Sequence, residues 1–449
     1  MGLHTEKCEA LVERDKKVIA PCQHLSYYPL AVAKVEEDVV YDEDGNSFID
    51  FLSSASSLNL GSCFPVVKNA AQKQLELYSQ YTIAYTYNRA SIEYAERLVS
   101  IYPGGISAKV CYGNCGSDAN DAAVKFARAY TGRTKIITFI NAYHGNTFGA
   151  ASMTTVTTRM RSKMGPFLPE IYSFPFYDAS YDDAVCEKEC LEDIERAFAT
   201  YLPADEVAAV IIEPIQGDAG LLAAHPIFMK KLHELCKKHG ILFIAEEVQQ
   251  AFQRTGKWFS IEHYGIVPDG IIMGKSIGAG FVLGGFMARS EIMDCLPAPA
   301  HLFTLGGNAL ACSAGIAAFD YMNSDEFKGI LEKNTALMQE CLESICAKYP
   351  DIATGIRGIG MSRGIIITKK DVQTGEQVPD LDGTYKILYR AYEKGLLVIS
   401  LAGNILRIQP PLNIKPENLK KGFEMIAESI EDYQKGNIPD EVMQFRSGW

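Results

Sequence analysis

The chain has 449 residues, 47% apolar and 22% charged, the balance of a packed globular protein with little room for long disordered tracts. Its length exceeds the usual single domain, so a large domain and a smaller one are expected. With 43 basic and 55 acidic residues the net charge is −12, which argues against a nucleic-acid or anionic-membrane surface but leaves local phosphate binding open.

The first twenty residues, MGLHTEKCEALVERDKKVIA, are dense in charge and lack an apolar stretch of signal-peptide length. No later run is long enough to span a bilayer, so a cytoplasmic protein is expected. The charges from Lys7 to Lys17 read as a solvated helical face. VVYDEDGNSFID then predicts a hairpin, with Asp44-Gly45-Asn46 between two alternating strands. From about residue 105, short β-branched runs alternate with helical patterns, the signature of a parallel sheet covered by helices. Strands are predicted at 108–112, 135–140, 207–212, 241–245, 270–273 and 282–288. Helices are predicted at 118–130, with Ser117 as N-cap, and at 226–239, ending in basic residues before Gly240. Residues 60–320 are the expected large domain. Beyond 321 come long helices and short strands, with 355–360 as turn punctuation and strands at 396–399 and 405–408. Residues 1–59 and 321–449 are expected to join as the small domain.

Most of the 12 cysteines, among them Cys236, Cys312 and Cys341, sit in apolar or helical runs and read as buried reduced thiols. Cys111 with Cys115 and Cys186 with Cys190 are four residues apart, which is not the spacing of a zinc or redox pair. His233 and His239, in HELCKKH, lack the zinc-protease spacing. No metal is expected.

Four elements carry chemistry. Lys275, in Met273-Gly274-Lys275-Ser276, follows a buried strand and so faces the crevice where α/β proteins bind ligands. Glu246 and Glu247 close the apolar run 241–245, either as a solvated strand end or as a persistent negative charge for a cofactor nitrogen. In GNCGSDAN, Gly116 permits close backbone approach, and Ser117 with the following amides offers donors to a phosphate at a positive helix end. In Ala142-Tyr143-His144-Gly145, the tyrosine either stacks on a flat heterocycle or fills the core.

The ordered motifs GNCGSDAN, AYHGNT, IIEPIQGDAG, IAEEVQQAFQRTGKW, PDGIIMGKSIGAG, LFTLGGNALACSAG and ILRIQPPL resemble those of class III (ω-type) aminotransferases over about three-quarters of the chain. The resemblance implies the α/β fold type I of pyridoxal-phosphate (PLP) enzymes, like aspartate aminotransferase. That fold has a mainly parallel seven-stranded sheet and a smaller α+β domain. It implies pyridoxal 5'-phosphate held as a Schiff base on Lys275, with Glu246 at the ring nitrogen, where the family almost always has aspartate. By the same resemblance, Val248 and Tyr143, followed by His144, pack on opposite ring faces, and Gln249 approaches the ring hydroxyl. Ser117 and the Gly116 amide hold the phosphate, and Thr304 reaches the phosphate in a neighbouring subunit. A homodimer or tetramer with active sites at the subunit interface is therefore implied.

Two departures bear on the reaction. Asn146 stands where relatives that use 2-oxoglutarate carry an arginine, and Asp218 stands where they carry a glutamate that shields the arginine matching Arg407. Both resemble the amino-acid racemase branch, which includes isoleucine 2-epimerase and α-amino-ε-caprolactam racemase. PAPAHLFT, LAGNILRIQPPL and the final Gly448-Trp449 match the epimerase. Inversion needs a proton carrier on each face of the substrate, whereas transamination needs one lysine. The expectation is a racemase or epimerase of a nonpolar, branched-chain or similar amino acid, with Lys275 on one face and Asp218 on the other and Arg407 gripping the α-carboxylate. Asp218 as a mere partner of Arg407, and a class III aminotransferase, are the alternatives. Asn146 and Tyr85 are expected near the substrate side chain.

Overall fold

The computed structural model describes residues 3–446, so the Gly448-Trp449 pair lies outside it. The chain divides into two compact units, one holding Pro65–Ser324 and the other joining the segments before and after it.

The larger unit is built on a seven-stranded sheet. Its strands are β1 (Ala108–Gly113), β2 (Lys135–Phe139), β3 (Ile171–Phe174), β4 (Val207–Ile212), β5 (Leu242–Glu246), β6 (Gly270–Met273) and β7 (Gly284–Arg289). Their spatial order is β1-β7-β6-β5-β4-β2-β3. All neighbours run parallel except β7, which is antiparallel to both β6 and β1. Every residue of β4, β5 and β6 is buried, as expected for parallel strands covered on both faces. Helix α1 (Gly116–Thr131) covers one face through a small-residue stripe: Ala119, Ala122, Ala123 and Ala127 let it approach Ile211, Ile244 and Ile272 closely. Helix α2 (Pro226–His239) starts on Pro226 and ends at Gly240, which takes a left-handed φ of 61°.

Apart from element ends that shift by one or two residues, the sequence reading differs from this unit in two places. Ser117 is not the N-cap of α1 but its second residue. Cys115 caps the helix, and the Asp118 carboxylate accepts the main-chain N–H of Asn114 at 2.7 Å and of Cys115 at 3.0 Å. Strand β3, bounded by Pro169 and Pro175 and only four residues long, gave no separate pattern.

In the other unit the hairpin forms around residues 43–46. There the Asp42 carboxylate accepts N–H groups from Asp44 and Asn46, and Gly45 takes a φ of 89°. Strands Val32–Glu36, Val39–Asp42, Ser47–Asp50 and Leu396–Leu397 make one sheet, and a second contains Ala353–Ile359, Ser362–Lys370, Ile405–Ile408 and Ile399–Leu401. The 396–399 segment is thus two strands, changing sheets at Val398. Residues 355–360 are mostly strand rather than turn. The register shifts between Ala353 and Gly355, and Gly358, at φ 83°, lets the Ser362 carbonyl approach; the chain reverses only at Gly360-Met361. Cys236 and Cys312 are buried as expected, whereas Cys341 is half-buried. No helix among the described residues is long and apolar enough to cross a membrane.

Just past β5, Glu247 is fully buried. Its carboxyl accepts from Ser260 N and Oγ, both at 2.9 Å, and from Ile261 N at 2.7 Å, tying residues 260–261 to the end of β5. Burial outweighs these donors and pushes its pKa up to about 8. A raised carboxyl stabilises the fold fully below its ordinary value of 4.5, and this contribution is lost as pH rises through about 8. Thermal unfolding from pH 5 to 9 should therefore show the margin of wild type over Glu247→Gln shrinking with pH. A margin that is constant or grows contradicts a buried, proton-holding Glu247.

Candidate active site

The carboxyl ends of β2, β4, β5 and β6 lie side by side, and the site follows from what the sequence places at or just beyond each. Ala245 pairs with Ile212, so Glu246 falls beside Glu213. Glu246 pairs in turn with Ile272, and Lys275 lies two residues past the end of β6. The turn after β2 brings Tyr143 and His144 to the same edge. Together with Cys115, Gly116, Ser117, Gly145, Asp218, Val248 and Gln249 they line one cavity of about 180 Å³.

Lys275 takes a φ of 49°, a left-handed conformation that costs an ordinary residue about 1–2 kcal/mol and is characteristic of functional positions. It opens a single 3-10 turn, Lys275–Gly278. Glu246 is buried and accepts the Val248 N–H at 2.7 Å. Its other oxygen lies 3.5 Å from His144 Nδ1, a buried atom with no hydrogen-bond partner among the described residues. The imidazole is held from behind, with Nε2 2.9 Å from Thr138 Oγ1, and its backbone is fixed by Thr154 Oγ1 and Asn120 Nδ2, each at 3.0 Å. Tyr143 is half-buried, and its hydroxyl is pushed up to about 12 by burial and then by Asp218 and Glu246. Asn146 is exposed; its amide reaches Tyr143 Oη at 3.3 Å, and its N–H donates to Ser117 Oγ at 3.1 Å.

Glycines keep the cavity open. A Cβ added at Gly116 would stand 2.7 Å from Val248 Cγ1, at Gly274 2.9 Å from Gly116 Cα, and at Gly217 2.4 Å from Gln249 Oε1. At Gly145, whose φ is +126°, it would stand 2.1 Å from Ser117 Oγ. The site thus offers helix-end amides and a hydroxyl at one side, a buried carboxylate with an unsatisfied imidazole nitrogen at its floor, and a primary amine.

Of the residues expected from sequence, Gly116, Ser117, Tyr143, His144, Asp218, Glu246, Val248, Gln249 and Lys275 come together here. Asn146 touches the rim through Tyr143. Thr304 does not line the cavity: it is exposed, and its carbonyl accepts from Gln80 Nε2 at 2.9 Å. Tyr85 is 86% exposed. Arg407 belongs to the other unit, buried on strand Ile405–Ile408. Sequence reasoning missed Cys115, Gly145 and Glu213. Glu213 carries the same mark as Glu246, an acid directly after an apolar strand, followed by Pro214.

The family model for class III aminotransferases matches residues 22–430. The chain is 36% identical to an isoleucine 2-epimerase of Lentilactobacillus buchneri, over 99% of both chains. It is 35% identical to a leucine/methionine racemase of Thermococcus litoralis, over 98% of this chain and 99% of that one. The ornithine aminotransferase of Toxoplasma gondii, solved with pyridoxal phosphate at partial occupancy, superposes with a TM-score of 0.81 at 27% identity over 95% of each chain.

The donor set fits pyridoxal phosphate. Lys275 would supply the amine for the aldehyde, Glu246 the counter-charge for the ring nitrogen, and the start of α1 the phosphate donors. Gly145→Ala, which drives a methyl group into Ser117 in a strained backbone, should weaken cofactor binding roughly 10- to 100-fold. Titrating the apoprotein with pyridoxal phosphate measures this, and unchanged affinity would remove Gly145 from the cradle. By its matched residues, its relatives and its sheet order, the chain belongs to the class III aminotransferase family of pyridoxal-phosphate enzymes.

Proposed function

We propose that the protein is a racemase or epimerase that inverts the α-carbon of a nonpolar, branched-chain or similar amino acid, with Lys275 and Asp218 as its two proton carriers. The observation that carries this reading is that an amine and a carboxylate, Lys275 and Asp218, line one small cavity. The bound cofactor withdraws electrons from the substrate α-carbon and so makes its proton labile. Inversion then requires a base on one face and an acid on the other, each able to exchange roles as the reaction reverses. Lys275, past the end of β6, serves one face. Asp218, in the turn after β4 and only 7% exposed, serves the other, and its burial favours proton exchange with substrate over exchange with water.

Substrate class is argued from what the pocket lacks and from relatives. Asn146, beside the Tyr143 hydroxyl, provides no cation for a second carboxylate, which disfavours dicarboxylic substrates. Two relatives aligned over nearly the whole chain are named for isoleucine and for leucine and methionine. The exposed Tyr81, Tyr85, Tyr87 and Leu305, with Thr304 outside its own cavity, support completion of the site by a second copy of this chain, in a dimer or tetramer. The family and the ornithine aminotransferase likeness favour a second reading, amino transfer to a keto acid through Lys275 alone.

Incubating the holoenzyme with single L-amino acids and no keto acid, and following enantiomer composition, separates the two. Inversion without an acceptor is expected; keto-acid formation that requires an acceptor would instead establish the aminotransferase. Asp218→Asn should lower inversion by about 10²- to 10⁴-fold while keeping the visible absorbance of the bound cofactor. Undiminished inversion would remove Asp218 from the reaction.

A further inference from the structure

Glu213 is the one acid lining the cavity that the reading above leaves without a task. The pairing of β4 with β5 stands it beside Glu246, and its carboxylate, the Glu246 carboxylate and a His144 ring nitrogen all lie within 4.8 Å of one another. Glu213 is 6% exposed, and both its oxygens are engaged. Oε1 accepts the main-chain N–H of Tyr143 at 2.9 Å, and Oε2 accepts that of Gly217 at 3.0 Å. Tyr143 carries the ring expected to stack on the cofactor, and Gly217 immediately precedes Asp218. One carboxyl group therefore ties two segments that arrive from different strands, β2 and β4. The Gln249 side-chain amide packs against Gly217, 2.4 Å from where a Cβ would stand.

We propose that Glu213 is a positioning residue for the inversion: it locks the Asp218 turn to the Tyr143 segment and so fixes the reach of Asp218 to the substrate face opposite Lys275. This inference rests on the assignment of Asp218 made above. Burial, then the neighbouring Glu246 carboxylate, holds the Glu213 carboxyl well above the ordinary range, against the pull of its two N–H donors. The protonated form of Glu213 is thereby favoured in the site. A neutral glutamine accordingly preserves the charge pattern but accepts only one of the two N–H groups.

The two proton carriers can be read separately by α-hydrogen exchange in deuterium oxide. Each enantiomer presents its hydrogen to one face, and wild-type holoenzyme exchanges both. In Glu213→Ala, exchange from the enantiomer facing Lys275 should stay within about 3-fold of wild type. Exchange from the other enantiomer should fall roughly 10- to 100-fold together with the inversion kcat, since a displacement of about an ångström at a catalytic group costs on this order. Glu213→Gln, isosteric and retaining one acceptor, should show the same asymmetry at smaller size, which keeps the test open should the alanine variant not fold. Equal loss from both enantiomers would mark a merely structural carboxyl, and undiminished exchange from both would mark an idle one; either overturns this inference alone. A wild type that fails to invert overturns it together with the proton-carrier assignment of Asp218.

Discussion

Two carboxylates cannot be buried next to each other without a compensating positive group or a shared proton, because desolvation and mutual repulsion both oppose their charges. The register of β4 on β5 forces that situation here by setting Glu213 beside Glu246 at the floor of the cavity. The surrounding arrangement resolves it. Burial and then Glu246 raise the pKa of Glu213, whose oxygens accept the main-chain N–H groups of Tyr143 and Gly217. Glu246, with the otherwise unsatisfied His144 nitrogen alongside, is the carboxylate we propose for the ring nitrogen of the cofactor.

The same sheet edge explains why the remaining parts converge. Parallel strands deliver their next residues to one crevice, so Tyr143 and His144 after β2, Asp218 after β4, Val248 and Gln249 after β5 and Lys275 after β6 meet although they are far apart in sequence. Glycines line the cavity walls, and at Gly145 and Gly217 an added Cβ would run into the side chains of Ser117 and Gln249, two residues of the same cavity. Strain is stored at Lys275, whose left-handed backbone is held by the buried strand before it and the 3-10 turn after it.

Much of this was legible in the sequence, for identifiable reasons. Val207–Ile212 and Gly270–Met273 are apolar, β-branched runs closed by an acid or by glycine, and fully buried strands must read that way. The Asp44-Gly45 turn and the Gly240 helix end follow from backbone chemistry alone. The misses arose where tertiary contacts decide. Ser117 is a good capping residue, yet Asp118 and Cys115 together satisfy the helix start and draw Ser117 inside it. Glycines at 355 and 358 serve close strand approach rather than a turn. The importance of Glu213 comes from strand register, which a single sequence does not reveal.

The central claim is that Lys275, at the carboxyl end of β6, carries the cofactor. Reducing the yellow holoprotein with borohydride, digesting it and locating the added mass by peptide sequencing tests this most directly. A phosphopyridoxyl group on the peptide containing Met273-Gly274-Lys275-Ser276 is the predicted result. Label on a different lysine, or none after reconstitution with pyridoxal phosphate, would contradict it.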